Sequence, residues 1–196
     1  MEIIIHRVNK IKNLENIPKN FGVEIDLRDY NKELVVQHDP FKRGDVFEKY
    51  LKKYKHGTLI IDVKSERIEQ EAIRLLKKNK IKKYFFLNST YPMIIDLTKK
   101  NIRDIAIRIS DYESFDNIQK FKKNCKWIWL EIFDNFNISK KQVIYLKNKS
   151  IKICLVSPEL HNKPNNIKKI KQFIKKKNIK ITAVCTKLDY IKNWIT

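Results

Sequence analysis

Glycine and proline are scarce in this chain, three and five among 196 residues, so no flexible linker or low-complexity tail divides it. Cysteine is equally sparse. Cys125, Cys154 and Cys185 are an odd number, far apart and without a CxxC pair, which argues against a disulfide framework or a structural zinc site and for a reducing, cytoplasmic setting. No apolar run approaches the ~20 residues that a membrane helix needs. At the start of the chain Ile3–Ile5 is the whole of the apolar stretch, too short for a secretory leader. Arginine supplies only 7 of the 43 basic residues. It is the residue suited to bidentate contacts with bases and phosphates, so no specific nucleic-acid partner is expected.

Lysine, isoleucine and asparagine are what the chain has in abundance, 36, 31 and 18 of its 196 residues. Their codons are rich in A and T, so nucleotide bias explains much of the net charge of +21 without a polyanionic ligand. The charge is uneven. Residues 1–98 hold 20 basic and 14 acidic side chains, and residues 99–196 hold 23 and 8. Such a field draws anions and is compatible with weak association with an anionic membrane surface. At 42% hydrophobic the chain can bury a core despite its charge, and its length fits one domain spanning 1–196.

Eight short runs rich in Ile, Val and aromatic residues recur along the chain: Ile3–Ile5, Val23–Leu27, Thr58–Val63, Tyr84–Leu87, Ile105–Ile109, Trp127–Leu130, Ile151–Val156 and Thr182–Thr186. Their length and composition predict buried strands, with a further short strand near Glu33–Gln37. Helical patterns lie between them, over Asp45–Tyr54, Ser65–Lys78 with Ser65 as N-cap, Asp111–Lys122, Ser139–Lys147 and Asn165–Lys177. In the last, Ile167, Ile170 and Ile174 make the apolar stripe and the lysines a solvated face. Eight β–α repeats predict an α/β fold, a compact (β/α)8 TIM barrel with short loops and stub helices, since such barrels usually run to about 250 residues.

Barrel catalysis sits at the C-terminal ends of the strands, and polar residues gather there early in this chain. The first strand ends in His6-Arg7. Glu24 and Asp26 are two apart, so they leave one face of the second strand, as do Asp62 and Lys64 on the third. The strand extension ends in His38-Asp39. Carboxylates on adjacent strands can hold a hard divalent cation, Arg7 and Lys64 can hold phosphate oxygens, and two histidines can exchange protons near neutral pH. Together they fit metal-assisted attack on a phosphodiester. The alternative for Asp62 and Lys64 is to pair with each other as a structural salt bridge.

The later strands offer further candidates. Glu131 shares a face with Trp127 and Trp129, and Arg108 can reach a phosphate or pair with Glu131 across the barrel. Asn88, Ser157, Glu159, His161 and Lys187 lie at or just past strand ends and are candidates for the pocket wall. His56 reads as exposed beside a turn, Trp194 as core, and Cys154 and Cys185 as small buried hydrophobes.

The run HRVNKIKNLENIPKNFGVEIDLRDYNKELVVQHDP, followed by TLIIDVK, resembles the glycerophosphodiester phosphodiesterase family of the phosphatidylinositol-phospholipase-C-like superfamily. His6-Arg7, Glu15-Asn16, Gly22-x-Glu24-x-Asp26, Val36-x-His38-Asp39 and Lys64 match its motifs in order, and Ala183–Tyr190 is similar to its final strand. The chain departs from the pattern at Val8 (Gly in the family), Ile17 (Thr), Asp62 (Glu) and Lys187 (Asp), and the family's insertion is cut to Phe41–Lys55. The resemblance implies a phosphoric diester hydrolase. His6 and His38 would be its acid/base pair. Glu24, Asp26 and Asp62 would hold a divalent cation, Mg²⁺ or Ca²⁺, and Arg7 and Lys64 would bind phosphate. It also implies attack by a hydroxyl next to the phosphorus, giving a cyclic phosphate, on a small or lipid-headgroup phosphodiester. Two other readings compete: a non-catalytic relative that binds a phosphorylated ligand, and a basic nucleic-acid-binding protein with a steep salt dependence.

Overall fold

The computed structural model describes residues 1–121, 125–134, 138–148 and 150–195. Its first strand, β1 (Glu2–Ile5), is followed by one helical turn, α1 (Ile11–Leu14), and by the long β2 (Gly22–Tyr30). An antiparallel hairpin extension, β3 (Glu33–Val36) and β4 (Asp45–Val46), leads into α2 (Phe47–Lys53). Strands and helices then alternate: β5 (Leu59–Val63), α3 (Glu69–Lys78), β6 (Tyr84–Leu87), α4 (Tyr91–Lys99), β7 (Ala106–Ile109), α5 (Asp116–Phe121) and β8 (Trp127–Leu130). They continue through α6 (Lys140–Asn148), β9 (Lys152–Val156), α7 (Ile167–Lys177), β10 (Ala183–Thr186) and α8 (Lys192–Ile195).

Parallel ladders join β1 to β2 and β10, β2 to β5, β5 to β6, and β7 through β8 and β9 to β10. The step from β6 to β7 is held by a single bridge, Phe86 to Ile105, and by the Phe86 N–H on the Asp104 carbonyl at 2.9 Å. The eight parallel strands thus follow one another in the order of a (β/α)8 barrel, as the repeat predicts. The stub helices are also as expected: α1, α5 and α8 have 4, 6 and 4 residues.

Alternation along the strands divides the core in two. Residues such as Ile3, Ile5, Val23, Ile25, Leu59, Ile61 and Leu155 face outward against the helices. Ile4, Ile60, Phe85, Trp127, Trp129, Cys154 and Cys185 fill the interior, where Phe85 stacks on Trp127 at 4.4 Å. Gly22 begins the inward column of β2. A Cβ there would lie 2.4 Å from the Thr58 carbonyl oxygen and 2.9 Å from Ile4 Cγ1, so the strands can close up only around glycine.

Several local expectations are corrected. Ser65 does not cap α3, which starts at Glu69. Instead its Oγ accepts the Asp29 N–H at 3.3 Å and serves the β2 edge. Asp45 and Val46 form β4 rather than the first turn of α2. Helix α4, absent from the sequence reading, buries Met93, Ile94 and Leu97. The stretch over Asp111–Lys122 shortens to α5, and Lys122 lies outside the described residues. Before α6, Ser139 and Gln142 cap each other's backbone N–H groups, at 2.7 and 3.2 Å. Helix α7 ends at Asn178 in the left-handed region, as C-terminal Asn permits. His56 is not a free surface group. Its Nε2 lies 3.1 Å from the carbonyls of both Leu14 and Ile17 and fastens the end of α1.

Candidate active site

The inward columns that are apolar in the barrel interior turn polar at the C-terminal ends of the strands. On β1 the column runs from Ile4 to His6, on β2 from Gly22 through Glu24 to Asp26, and on β5 from Ile60 through Asp62 to Lys64. Period-two spacing thus delivers the carboxylates to the mouth. Pairing of Asp26 with Asp62 in the β2–β5 register puts them side by side. Oxygens of Glu24, Asp26 and Asp62 lie within 4.8 Å of one another, and all three residues are buried.

Each carboxylate is held in place. The Arg7 N–H donates to Glu24 Oε2 at 2.6 Å, and His6 Nε2 stands 3.7 Å from the same oxygen. Arg7 reaches this position with φ at 55°, a left-handed backbone rare for a side chain of its size. Its guanidinium turns to Asp26 Oδ2 at 3.4 Å. Lys64 Nζ bridges Asp62 Oδ2 at 2.7 Å and Asp26 Oδ1 at 3.3 Å, so the Asp62–Lys64 pair does form, within the cluster. Asn9, which the sequence reading passed over, grips Asp26 twice. Its Nδ2 donates to Oδ2 at 2.6 Å, and its Oδ1 accepts the Asp26 N–H at 2.9 Å. The motif residues Glu15 and Asn16 are exposed at the end of α1.

Charge and burial set the protonation of this group. Burial pushes the Glu24 carboxyl well above its ordinary range, and the Asp26 and Asp62 charges push it further. Burial raises Asp62 as well, against the pull of Lys64. For Lys64 burial opposes the charge, but Asp62 and Asp26 outweigh it and its pKa rises. Burial, with the charge of Arg7 next, lowers His6 from 6.5 to about 4, and Lys187 and Lys64 act in the same direction. Lys187 is exposed just past β10, close enough for its charge to act on His6.

His38 follows β3. Arg28 donates to the carbonyls of Gln37 at 3.3 Å and His38 at 2.9 Å, and the Gln37 N–H donates to the Asp26 carbonyl at 2.9 Å. These bonds tie the His38 segment to the cluster's own strand. The imidazole is 41% exposed on its side chain, with Nδ1 2.9 Å from Asp39 Oδ1.

The remaining expected residues divide. Asn88 donates to Asp62 Oδ1 at 2.7 Å and accepts from Arg108 Nη2 at 2.6 Å. Arg108 Nη1 pairs with Glu131 Oε2 at 3.0 Å, between neighbouring strands rather than across the barrel. Glu159 is no pocket wall. It is 2% exposed, and its carboxylate accepts from the hydroxyls of Ser157 and Thr186 and from the Lys187 N–H. Trp194 Nε1 donates to Ser157 Oγ at 2.7 Å, which completes a clamp under the loops after β9 and β10.

Neither a protein-family model nor a curated protein matches this sequence. Solved structures do match its fold. A glycerophosphoryl diester phosphodiesterase from Parabacteroides distasonis is 11% identical, with a TM-score of 0.63 over 94% of this chain and 81% of that one. An Oleispira antarctica phosphodiesterase, solved with its product sn-glycerol-3-phosphate, is 17% identical, with a TM-score of 0.60 over 94% and 92%. At these identities the likeness is one of fold, the fold that the strand repeat predicts.

Proposed function

We propose that the chain is a metal-dependent phosphodiester hydrolase of the glycerophosphodiester type. The observation that carries the reading is the trio Glu24, Asp26 and Asp62, three buried carboxylates whose oxygens lie within 4.8 Å of one another at strand ends. Like charges crowded in this way are costly unless a cation joins them, and an all-oxygen donor set suits a hard divalent ion such as Mg²⁺ or Ca²⁺. The raised pKa of Glu24 expresses the same demand. When bound, such an ion supplies Lewis-acid polarisation of the phosphoryl oxygens.

The rest of the chemistry belongs to the chain. Arg7 and Lys64, already at the carboxylates, hold the phosphate, and exposed Lys187 adds positive charge at the mouth. His6 is neutral above about pH 4 and can accept a proton at Nε2 from a hydroxyl attacking the phosphorus. His38, with Nδ1 turned to Asp39, returns a proton through Nε2 to the departing alkoxide. One P–O bond forms and one breaks, and each proton passes to or from an imidazole. Attack by the substrate's own adjacent hydroxyl gives a cyclic phosphate and a free alcohol. Water then opens the cyclic phosphate, with His38 taking the proton of the water and His6 returning its proton to the ring oxygen that leaves.

Hydrolysis of a panel of glycerophosphodiesters with Mg²⁺, Ca²⁺ or Mn²⁺, beside His6→Ala and His38→Ala, tests this reading. Activity that needs a divalent ion and falls about 10²-fold or more in each variant is expected. Full metal-dependent activity in His38→Ala would overturn its assigned role. Absence of any divalent-ion affinity would favour the non-catalytic, phospho-ligand-binding reading. Among the described residues no helix is long and apolar enough to cross a membrane, and the proposed substrate is a small phosphodiester or lipid headgroup met from the aqueous side.

A further inference from the structure

Charge is not shared evenly between the two ends of the barrel. Apart from the hairpin extension, the described loops from strand to helix, at the mouth, hold six basic and seven acidic side chains. The described loops from helix back to strand, at the far end, hold nine basic side chains against only Glu15 and Asp104. All nine are exposed, and Lys80, Lys82 and Lys83 stand together before β6. Of the nine, only Lys126 has a carboxylate partner among the described residues, Asp104 at 2.9 Å. Lysines in the last turns of helices answer the helix dipoles, but these nine lie beyond the helices. Nucleotide bias adds lysine at either end alike, and what sets the far end apart is its lack of acids.

Two apolar grooves open among these lysines. One, of about 460 Å³, lies between α6 and the start of β9 and sets Lys152 and Lys180 beside Val143 and Leu146. The other, of about 500 Å³, lies between α7 and α8 and sets Lys171 and Lys175 beside Ile174 and Ile181. Ile179 lines both. The second exists because α8 has only four residues, where an outer helix of such a barrel would cover the wall. Lys171 Nζ rests on the Asn193 carbonyl at 2.8 Å and keeps its charge unpaired. Among the described residues no acidic side chain lines either groove, so a partner at this end must bring negative charge together with apolar surface.

A second copy of the chain would bring the same face and a net charge of +21. Single-stranded nucleic acid takes aromatic platforms for its bases and arginine for its phosphates. The grooves are aliphatic apart from the buried Trp194, and Arg103 is the one arginine of the nine. An anionic bilayer offers phosphates over a broad plane, with acyl carbon just beneath them. We propose that the end of the barrel opposite the mouth is a docking face for an anionic lipid bilayer, its lysines on the phosphates and its grooves against the upper acyl region. Docked in this way, the protein turns its mouth to the water. The inference does not depend on the phosphodiesterase reading.

Co-sedimentation of the whole protein with phosphatidylcholine vesicles, with and without about one third phosphatidylglycerol, tests it at physiological salt. Wild type is expected to bind the anionic vesicles and leave the neutral ones. Lys80→Gln, Lys82→Gln and Lys83→Gln together should weaken binding about 100-fold, at about fivefold for each lysine. Lys10→Gln, Lys32→Gln and Arg43→Gln, which remove as much charge at the mouth end, should weaken it by less than roughly fivefold, because salt screens charges held off the surface. The three native cysteines are buried, so a polarity-sensitive dye can be attached through Lys82→Cys or through Tyr112→Cys. Its emission should move to the blue with anionic vesicles at the first site and stay unchanged at the second. Equal losses in the two triple variants, or a blue shift at the second site alone, overturn the docking face. Equal binding to both kinds of vesicle, or binding to neither, overturns it as well. Retention on duplex DNA at the same salt, with no vesicle binding, would assign the basic end to nucleic acid instead.

Discussion

Glu24→Gln should make the cation-free protein more stable and the cation-loaded protein less able to gain from its ligand. The glutamine keeps an acceptor for the Arg7 N–H, which reaches Oε2 at 2.6 Å, and removes one charge from a trio whose oxygens lie within 4.8 Å. At that separation, and at an effective dielectric near 20, each like-charge pair costs about 3.5 kcal/mol. Lys64 and Arg7 offset part of this, leaving a net gain of about 1–3 kcal/mol from the substitution. Because the folded pKa of Glu24 is raised, its contribution to stability is complete below the unfolded value near 4.5. It is lost as pH rises through the folded value, so the advantage of the variant grows with pH. For a chain of this size 1 kcal/mol moves the melting temperature by roughly 2–4 °C. In EDTA at pH 8 the variant should melt roughly 2–12 °C above wild type. With Ca²⁺ or Mg²⁺ at a hundredfold excess over Kd, wild type should gain about 2.7 kcal/mol, and the variant less than a third of that. Calorimetric melts with and without the ion read both effects. A variant that melts below wild type in EDTA, or gains as much from the ion, refutes the argument.

Three further outcomes follow from the same geometry. With the His6 pKa lowered from 6.5 to about 4, the unfolded chain binds the extra proton first. Wild type should therefore lose about 3 kcal/mol between those pH values, and His6→Gln should flatten that slope in urea titrations. Asn9→Ala removes both hydrogen bonds from Asp26 and should weaken divalent-ion affinity roughly 10–100-fold by calorimetric titration, whereas Asn16→Ala should leave it unchanged. Gly22→Ala puts a methyl 2.4 Å from the Thr58 carbonyl oxygen and should cost about 3 kcal/mol in chemical denaturation. A loss under 0.5 kcal/mol would mean that the strands can spread at that point.

The barrel and its first-half site were legible because both depend on local spacing. Glu24 with Asp26, and Asp62 with Lys64, sit two apart on short apolar strands, so a shared face follows from the pleat alone. Asn9 was passed over because its role depends on how the loop after β1 turns, and motif order drew attention to Glu15-Asn16, which α1 directs to solvent. Glu159 read as a pocket residue because it follows a strand. Its partners, Thr186 and the Lys187 N–H, are 27 and 28 residues away and no spacing rule points to them. Ser65 carried a helix-capping signal that the β2 edge used instead, and helix propensity could not foresee that competition.

The single bridge between β6 and β7 divides the molecule into two half-barrels, β1-β2-β5-β6 and β7-β8-β9-β10. A full β1–β10 ladder acts as their spine, and the β6–β7 seam is the free edge opposite. The carboxylates stand on one half and Glu131 with His161 on the other. The hydrogen bond from Arg108 to Asn88 crosses the seam at the mouth, clasping side chains where the backbone ladder is thinnest. The amides flanking Phe86 and Ile105, held where that ladder is thinnest, are the strand amides whose hydrogen exchange should be least protected.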